Sequence, residues 1–340
     1  VVIGLDATYS LGRNLSGVGV YSRELLFGLV RAHPETQFRF CYRPHRYLRS
    51  LDDKLPRNAS RRLLAGKPPG DLFHALNQRV DHRARRTVAT FHDLFVISGD
   101  YSSPDFRARF TEQARRAAVR SDLIVAVSRF TAGQVESLLG VEPARVRVIA
   151  HGVRTPVPAA GPPRERENII LCVGAIQRRK NVARLVRAFE ALPLQWRLIL
   201  AGADGFGAAE ELQAVHDSPR RASIEIPGYV SSAELEHLYR RASIFAFPSL
   251  DEGFGMPVLD AMARGVPVLT STTSALPEVA GNAALLVDPL DADSIAGGLS
   301  RLAADAGLRE ELIQRGLERA REFTWETAVE RTWAVYNELR

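Results

Sequence analysis

The sequence predicts an α/β architecture of two doubly wound parallel sheets, and three observations carry that expectation. Apolar, β-branched runs recur in the first half at VVIGL, FRFCY, DLFHAL, TVATFHDL, LIVAVS and VRVIAHG. They recur in the second at NIILCVG, WRLILAG, SIEIPGYV, SIFAFPS, VPVLTS and AALLVDP, most of them separated by segments of helical period. Between the halves lies VRTPVPAAGPPRERE, whose Pro, Gly and charge read as a linker. A chain of 340 residues holds about two domains at the usual domain size. The expected division is a first domain at 1–152, a linker at 153–166, a second domain at 167–322 and a terminal helix at 323–340 that packs back on the first domain.

Taken in chain order, the first strand is followed by SGVGVYS at 16–22. Its glycines are spaced like a dinucleotide fingerprint, but it ends in Ser22 and follows the strand only after a ten-residue insert. Gly17 and Gly19 are therefore read as a Gly-rich loop over a ligand site. The strand TVATF runs into His92 and Asp93. Arg107, Arg109, Arg115, Arg116 and Arg120 fall on one predicted helix, read as a solvated basic face, with contact to an anionic acceptor or membrane as the alternative. Arg179 and Lys180 stand just ahead of a helix expected near Asn181, and two cations beside a helix N-terminus suit a di-anion such as a diphosphate.

The stretch SLDEGFGMPVLDAMARG at 249–265 predicts a loop and then a helix. Pro257, with a preset φ and no N–H, suits the first helical position. Val258, Leu259, Ala261 and Met262 form an apolar stripe, and Gly265 ends it. The amides of Phe254, Gly255 and Met256 would then lie unpaired at the positive helix end, and Gly253 and Gly255 let a ligand approach the backbone. Further on, Asp293 reads as the N-cap of a helix. FTWETAVERTWAVYNEL reads as an amphipathic helix anchored by Trp325 and Trp333. In doubly wound sheets ligands bind beyond the carboxyl ends of strands, and these polar residues all follow strands, so they are expected to meet in one cleft.

Composition narrows the function classes. The 46% hydrophobic and 25% charged residues are ordinary for a globular protein, and no apolar run approaches the roughly 20 residues of a membrane span. No signal-peptide pattern opens the chain. Cys41 and Cys172 lie inside apolar runs, as buried thiols in a reducing cytoplasm would. No Cys/His cluster has zinc spacing, and no metal is expected. Charge is uneven: residues 1–150 carry 24 Lys and Arg against 14 Asp and Glu, and the remainder 21 against 25. The basic half points to an anionic partner, with a membrane surface or a phosphorylated acceptor both fitting. Nucleic acid has no recognition helix or aromatic platform to support it.

VGAIQRRKNVARLVRAF, GYVSSAELEHLYRRASIFAFPSLDEGFGMPVLDAMARGVPVLTS and ALPEVAGNAALLVDP together resemble the donor half of retaining glycosyltransferase family 4. That family has the GT-B fold, two Rossmann-like domains facing across a cleft. SGVGVYSREL, DLFHALNQ, TFHDL, VAVSRFTAGQV and VRVIAHGV resemble its acceptor half. The resemblance implies transfer of a hexose, mannose favoured, from GDP-mannose or a UDP-sugar to a glycan or lipid-linked acceptor. The anomeric configuration is retained, and no metal or further cofactor is used. It implies a cytoplasmic protein of polysaccharide or glycolipid synthesis, with a peripheral place at the inner membrane face.

The same resemblance assigns roles. Arg179 and Lys180 would hold the diphosphate, and Glu252 the donor sugar hydroxyls. Gly174, Gly253 and the amides of Phe254, Gly255 and Met256 would line the sugar and phosphate. Asp260 would take the ribose diol, and Tyr229 and Val230 would flank the base. His92 would contact the transferred sugar, with the 17–19 loop facing diphosphate and acceptor. Asp260 stands where the family usually has Glu, and Ala175 where many members have Arg. Those two departures motivate one alternative, a non-catalytic nucleotide-sugar-binding subunit. A nucleotide-sugar epimerase of the same architecture is another, and a nicotinamide dehydrogenase a more distant third. Glu278 in LPEV fits the family pattern, with a loop role and a ligand contact both open.

Overall fold

A computed structural model describes residues 2–12, 15–154 and 166–340. Most of the Pro-rich stretch read as a linker, residues 155–165, lies outside the described residues. The chain divides into two compact units. Unit 1 comprises Val1–Gly152 with Phe323–Arg340, and unit 2 comprises Val153–Glu322.

Unit 1 is built on a seven-stranded parallel sheet in the order β3-β2-β1-β4-β5-β6-β7. Its strands are β1 Val2–Asp6, β2 Gln37–Tyr42, β3 Ala59–Leu63, β4 Leu72–Ala75, β5 Arg86–Phe91, β6 Leu123–Ala126 and β7 Val146–Val148. The strands β4 and β6 are buried along their whole length, as expected of parallel strands covered on both faces. The exception is β3, read ASRRL, which carries Arg61 and Arg62 and has no apolar run. It is an edge strand, where charge is tolerated and discourages pairing with other chains, and the apolar pattern gave no sign of it.

Unit 2 repeats the plan with six parallel strands, β10-β9-β8-β11-β12-β13. These are β8 Glu167–Val173, β9 Arg197–Ala201, β10 Ile224–Gly228, β11 Ala242–Phe247, β12 Val268–Ser271 and β13 Ala284–Val287. In each sheet the winding reverses once, between β1 and β4 in unit 1 and between β8 and β11 in unit 2. Such reversals open a crevice beyond the strand ends.

The helix Trp325–Glu338 belongs to unit 1, where it packs beside the helix Gly17–Ala32 and contributes Trp325, Val329 and Tyr336 to the core. Trp333 stacks on His33, ring centroids 3.5 Å apart. The Tyr336 hydroxyl lies 2.7 Å from His74 Nδ1, and His74 Nε2 lies 2.8 Å from Thr90 Oγ1. The Tyr21 hydroxyl closes this buried chain at 2.9 Å from Thr90 Oγ1. Cys41 and Cys172 are buried free thiols, each pushed by burial up to about 12.

Two helix starts differ from the sequence reading. Gly17 and Gly19 are not a loop but the first turn of a helix, because the Ser16 hydroxyl caps it by accepting from the Gly19 amide at 3.3 Å. Gly19 is small for packing reasons: a Cβ there would lie 2.9 Å from the Tyr9 carbonyl oxygen. In the 291–293 segment the cap is Asp291 rather than Asp293, since its carboxylate accepts from the Asp293 amide at 2.9 Å. Among the described residues, no helix is long and apolar enough to cross a membrane.

Candidate active site

At the winding reversal of unit 2, the segment after β8 forms a short 3-10 turn, Arg178–Lys180. Asn181 then takes a left-handed φ of 62° and starts the helix Val182–Glu190. Asn tolerates that region better than most side chains. Its amide nitrogen donates to the carbonyls of Pro248 at 3.0 Å and Pro289 at 2.6 Å, so the turn is tied to the segment after β11. The Leu250 amide donates back to the Arg179 carbonyl at 2.8 Å.

These ties bring Arg179, Lys180 and Glu252 together. The Lys180 ammonium lies 2.5 Å from one Glu252 carboxylate oxygen, and the Arg179 guanidinium 2.7 Å from the other. Arg179 also donates to the Asp251 carbonyl at 2.6 Å. All three charged side chains are buried. Burial opposes the charged form of Glu252, but the two cations outweigh it and hold the carboxyl at about 2. Burial pushes Lys180 downward, with Arg179 acting in the same direction and Glu252 against it. Within this triad two cations face one carboxylate, with the buried Asp251 next in the chain. The Lys180 stem crosses Gly174, where a Cβ would lie 3.2 Å from its Cε.

Behind these cations the helix start carries a carboxylate. The Glu211 carboxylate accepts from the Ala183 amide at 2.8 Å and so occupies the start of the Val182–Glu190 helix. Only the folded neighbour, the helix Ala208–Asp217, brings Glu211 there. The cations point instead to Glu252.

Beyond Glu252 the chain turns through Gly253, Phe254 and Gly255 into the helix Met256–Ala263. Gly255 is the N-cap, with φ of 103°, a conformation that favours glycine, and no side chain caps this end. Pro257 sits one position inside the helix rather than at its first residue. Gly265, φ 62°, follows the last turn as the stop. Asp260 is half-buried and pairs with Arg264 at 3.1 Å one turn on. Tyr229 stands exposed just beyond β10, with Val230 half-buried beside it. The backbone carbonyl of Glu278 accepts from Arg319 at 2.7 Å. Among the described residues, no group of three or more His, Cys, Asp and Glu is arranged to hold a metal ion.

In unit 1, His92 follows β5 and is buried. Its Nε2 donates to the Leu76 carbonyl at 2.9 Å, and in the neutral ring that leaves Nδ1 as the acceptor. Burial holds its pKa down to about 4, the Leu76 bond acting the other way. His151 stacks on it at 5.4 Å, and Tyr21 meets it edge-on at 4.7 Å. The sequence reading did not select His151 as a site residue, although VIAHG carried the signal. Of the basic helix Pro104–Arg120, Arg107 pairs with Asp100 at 2.5 Å, Arg116 with Glu112 at 3.4 Å, and Arg120 donates to the Val80 carbonyl at 3.0 Å.

Two doubly wound parallel units of this kind make up the GT-B fold, and solved structures share it. The sucrose-phosphate synthase of Thermosynechococcus elongatus superposes with a TM-score of 0.78 at 22% identity, over 99% of this chain and 98% of that one. Anabaena HepE, solved in complex with UDP and glucose, superposes with a TM-score of 0.73 at 15% identity, over 99% of each chain. Residues 21–156 match glycosyltransferase family 4, and residues 154–319 match the glycosyl transferases group 1 family. The O-antigen chain mannosyltransferase B of Escherichia coli is 32% identical over 79% of this chain and 74% of that protein. The serotype-specific mannosyltransferase WbdA of the same species is 28% identical over 71% of this chain, which spans only 32% of WbdA. The chain belongs to glycosyltransferase family 4.

Proposed function

We propose that this chain transfers a hexose, mannose in preference, from a nucleotide-diphosphate sugar to an acceptor hydroxyl, with retention and without a metal, in polysaccharide or glycolipid synthesis. GDP-mannose is the favoured donor because the matched relatives include mannosyltransferases, while a UDP-sugar fits the same phosphate grip. The observation that carries this reading is the buried Arg179–Glu252–Lys180 cluster at the winding reversal of unit 2.

In this mechanism the bond between the anomeric carbon and the diphosphate oxygen breaks, and its electron pair leaves with the nucleotide. Negative charge grows on that oxygen, where Arg179 and Lys180 are already fixed and dry and need no reorganisation. The acceptor oxygen attacks from the same face, and its proton passes to the departing phosphate oxygen. Glu252 binds donor hydroxyls between the cations. Gly174 and the Gly253–Met256 turn line sugar and phosphate through the uncapped helix end. Asp260 takes the ribose diol, Tyr229 and Val230 flank the base, and His92 accepts a sugar hydroxyl at Nδ1. The helical turn at Gly17 and Gly19 lies on the acceptor side. A basic unit 1 surface adds peripheral contact with an anionic membrane.

The test is Lys180→Ala assayed with GDP-mannose and UDP-sugars against mannoside acceptors. A loss of about 10²–10³ in kcat/KM is expected on removing one charge-stabilising donor. An unchanged value removes its leaving-group role. The one-bond C1–H1 coupling of the product reads retention, and unaltered turnover in EDTA reads metal independence.

A further inference from the structure

Asp260 does not stand alone on its helix. Arg264 ends the helix Met256–Ala263 as its C-cap, its amide bonding to the Ala261 carbonyl. The Nη1 of its guanidinium donates both to the Asp260 backbone carbonyl at 2.9 Å and to the Asp260 carboxylate at 3.1 Å. The last carbonyls of a helix lack partners within it, so this arginine closes the helix and fixes the acid together. A second helix holds the arginine in turn. Its Nε donates to Glu236 at 2.8 Å, on the helix Ser232–Arg241, and its guanidinium lies 5.0 Å from the centre of the buried Tyr239 ring.

Exposure separates the holder from the held. The Asp260 side chain is 35% exposed, against 13% for Arg264 and 22% for Glu236. The carboxylate is open to a ligand, while the group that fixes it is mostly covered. A carboxylate offers about four lone-pair sites, and Arg264 takes one of them on Oδ1. The others suit a vicinal diol, whose two hydroxyls can donate to the two oxygens side by side. Aspartate has a short arm, so the aim of its carboxylate is decided close to the helix, where Arg264 grips both its ends. We propose that Arg264, anchored by Glu236, is a positioning residue that aims the Asp260 carboxylate at the ribose diol of the donor nucleotide. This rests on the donor reading of unit 2 and adds the device that orients its ribose contact.

The test compares GDP with 2′,3′-dideoxy-GDP, which lacks the diol, by titration calorimetry on the full chain, with UDP and its dideoxy form in parallel. Wild type is expected to prefer the diol form about tenfold, as hydrogen bonds to a charged acceptor imply. Arg264→Met keeps an apolar stem over Tyr239 and should cut that preference to about threefold or less, with dideoxy affinity unchanged. Arg264→Lys, whose ammonium still reaches Asp260 from one turn on, should restore part of it. Glu236→Ala leaves Arg264 in place without its anchor and should lower the ratio in the same direction, which keeps the test open if Arg264→Met does not fold. A merely structural role would weaken both nucleotides alike and leave their ratio at the wild-type value, and that result overturns the proposal. So does a higher ratio in Arg264→Met, because Arg264 would then compete with the ribose for Asp260. Equal binding of both forms by wild type overturns the ribose role of Asp260 and the positioning with it. Absence of any binding by wild type instead sinks the donor reading on which both rest.

Discussion

The Lys180 ammonium lies 4.3 Å from the centre of the Phe247 ring, at the end of β11. The ring face is electron-rich, and a desolvated cation over it is stabilised by about 0.5–2 kcal/mol. Phe247 thus holds the charged form of a lysine that burial, with Arg179, drives toward neutrality, while Glu252 restores it. Cys172 is the other titratable group near this ammonium.

Phe247→Leu keeps the volume and removes the quadrupole. The Lys180 pKa should fall, so activity should be lost at a lower pH on the alkaline side. A kcat profile over pH 6–10 reads it, and Phe247→Tyr should restore the limb.

Glu252→Gln should leave two buried cations without their counter-charge and destabilise the protein by about 3–5 kcal/mol. Urea unfolding measures this, and saturating GDP should recover part of the loss. In wild type the Glu252 carboxyl is held at about 2, below its ordinary 4.5. A depressed carboxyl stabilises the fold fully above its unfolded pKa. That contribution, roughly 3 kcal/mol, is lost as pH falls from about 4.5 through about 2.

The buried histidines of unit 1 act at milder acidity. His92 is held at about 4 and His74 at about 3, burial being the main cause for each. His151 is likewise held well below its usual range. The unfolded chain takes up these protons near 6.5, before the folded one does. Stability should therefore be full above about pH 6.5 and fall steeply toward pH 4. Melting temperatures at pH 7.5 and 5.0 test this, and His92→Gln should flatten the fall.

Tyr336→Phe should remove the hydroxyl at His74 Nδ1 and leave that nitrogen unpartnered in the core. The expected cost is about 1–3 kcal/mol. Thermal unfolding measures it, with nucleotide binding to unit 2 unchanged.

Apolar periodicity made most of the fold legible. Among the described residues, twelve of the thirteen strands were marked by apolar runs, and β3 escaped because an edge strand can be written in arginine. Arg179, Lys180 and Glu252 were legible as residues following strands. Their mutual pairing was not, because 72 residues separate Lys180 from Glu252 and their register is set by ties such as those from Asn181 to Pro248 and from Leu250 to Arg179, which exist only in the folded chain. Glu211 was hidden for the same reason, as its capping role exists only once two helices pack. Asp291 and Asp293 differ by a local choice of backbone angle, which spacing leaves undetermined.

The helix Trp325–Glu338 completes a core whose other members all lie before residue 153. On the ribosome, every strand of unit 2 must emerge before that helix does. Unit 1 therefore waits through the synthesis of unit 2 with the cradle for Trp325 and Tyr336 unfilled, and its last folding step comes after its neighbour has had time to settle. Shielding that gap would fall to chaperones or to the speed of synthesis.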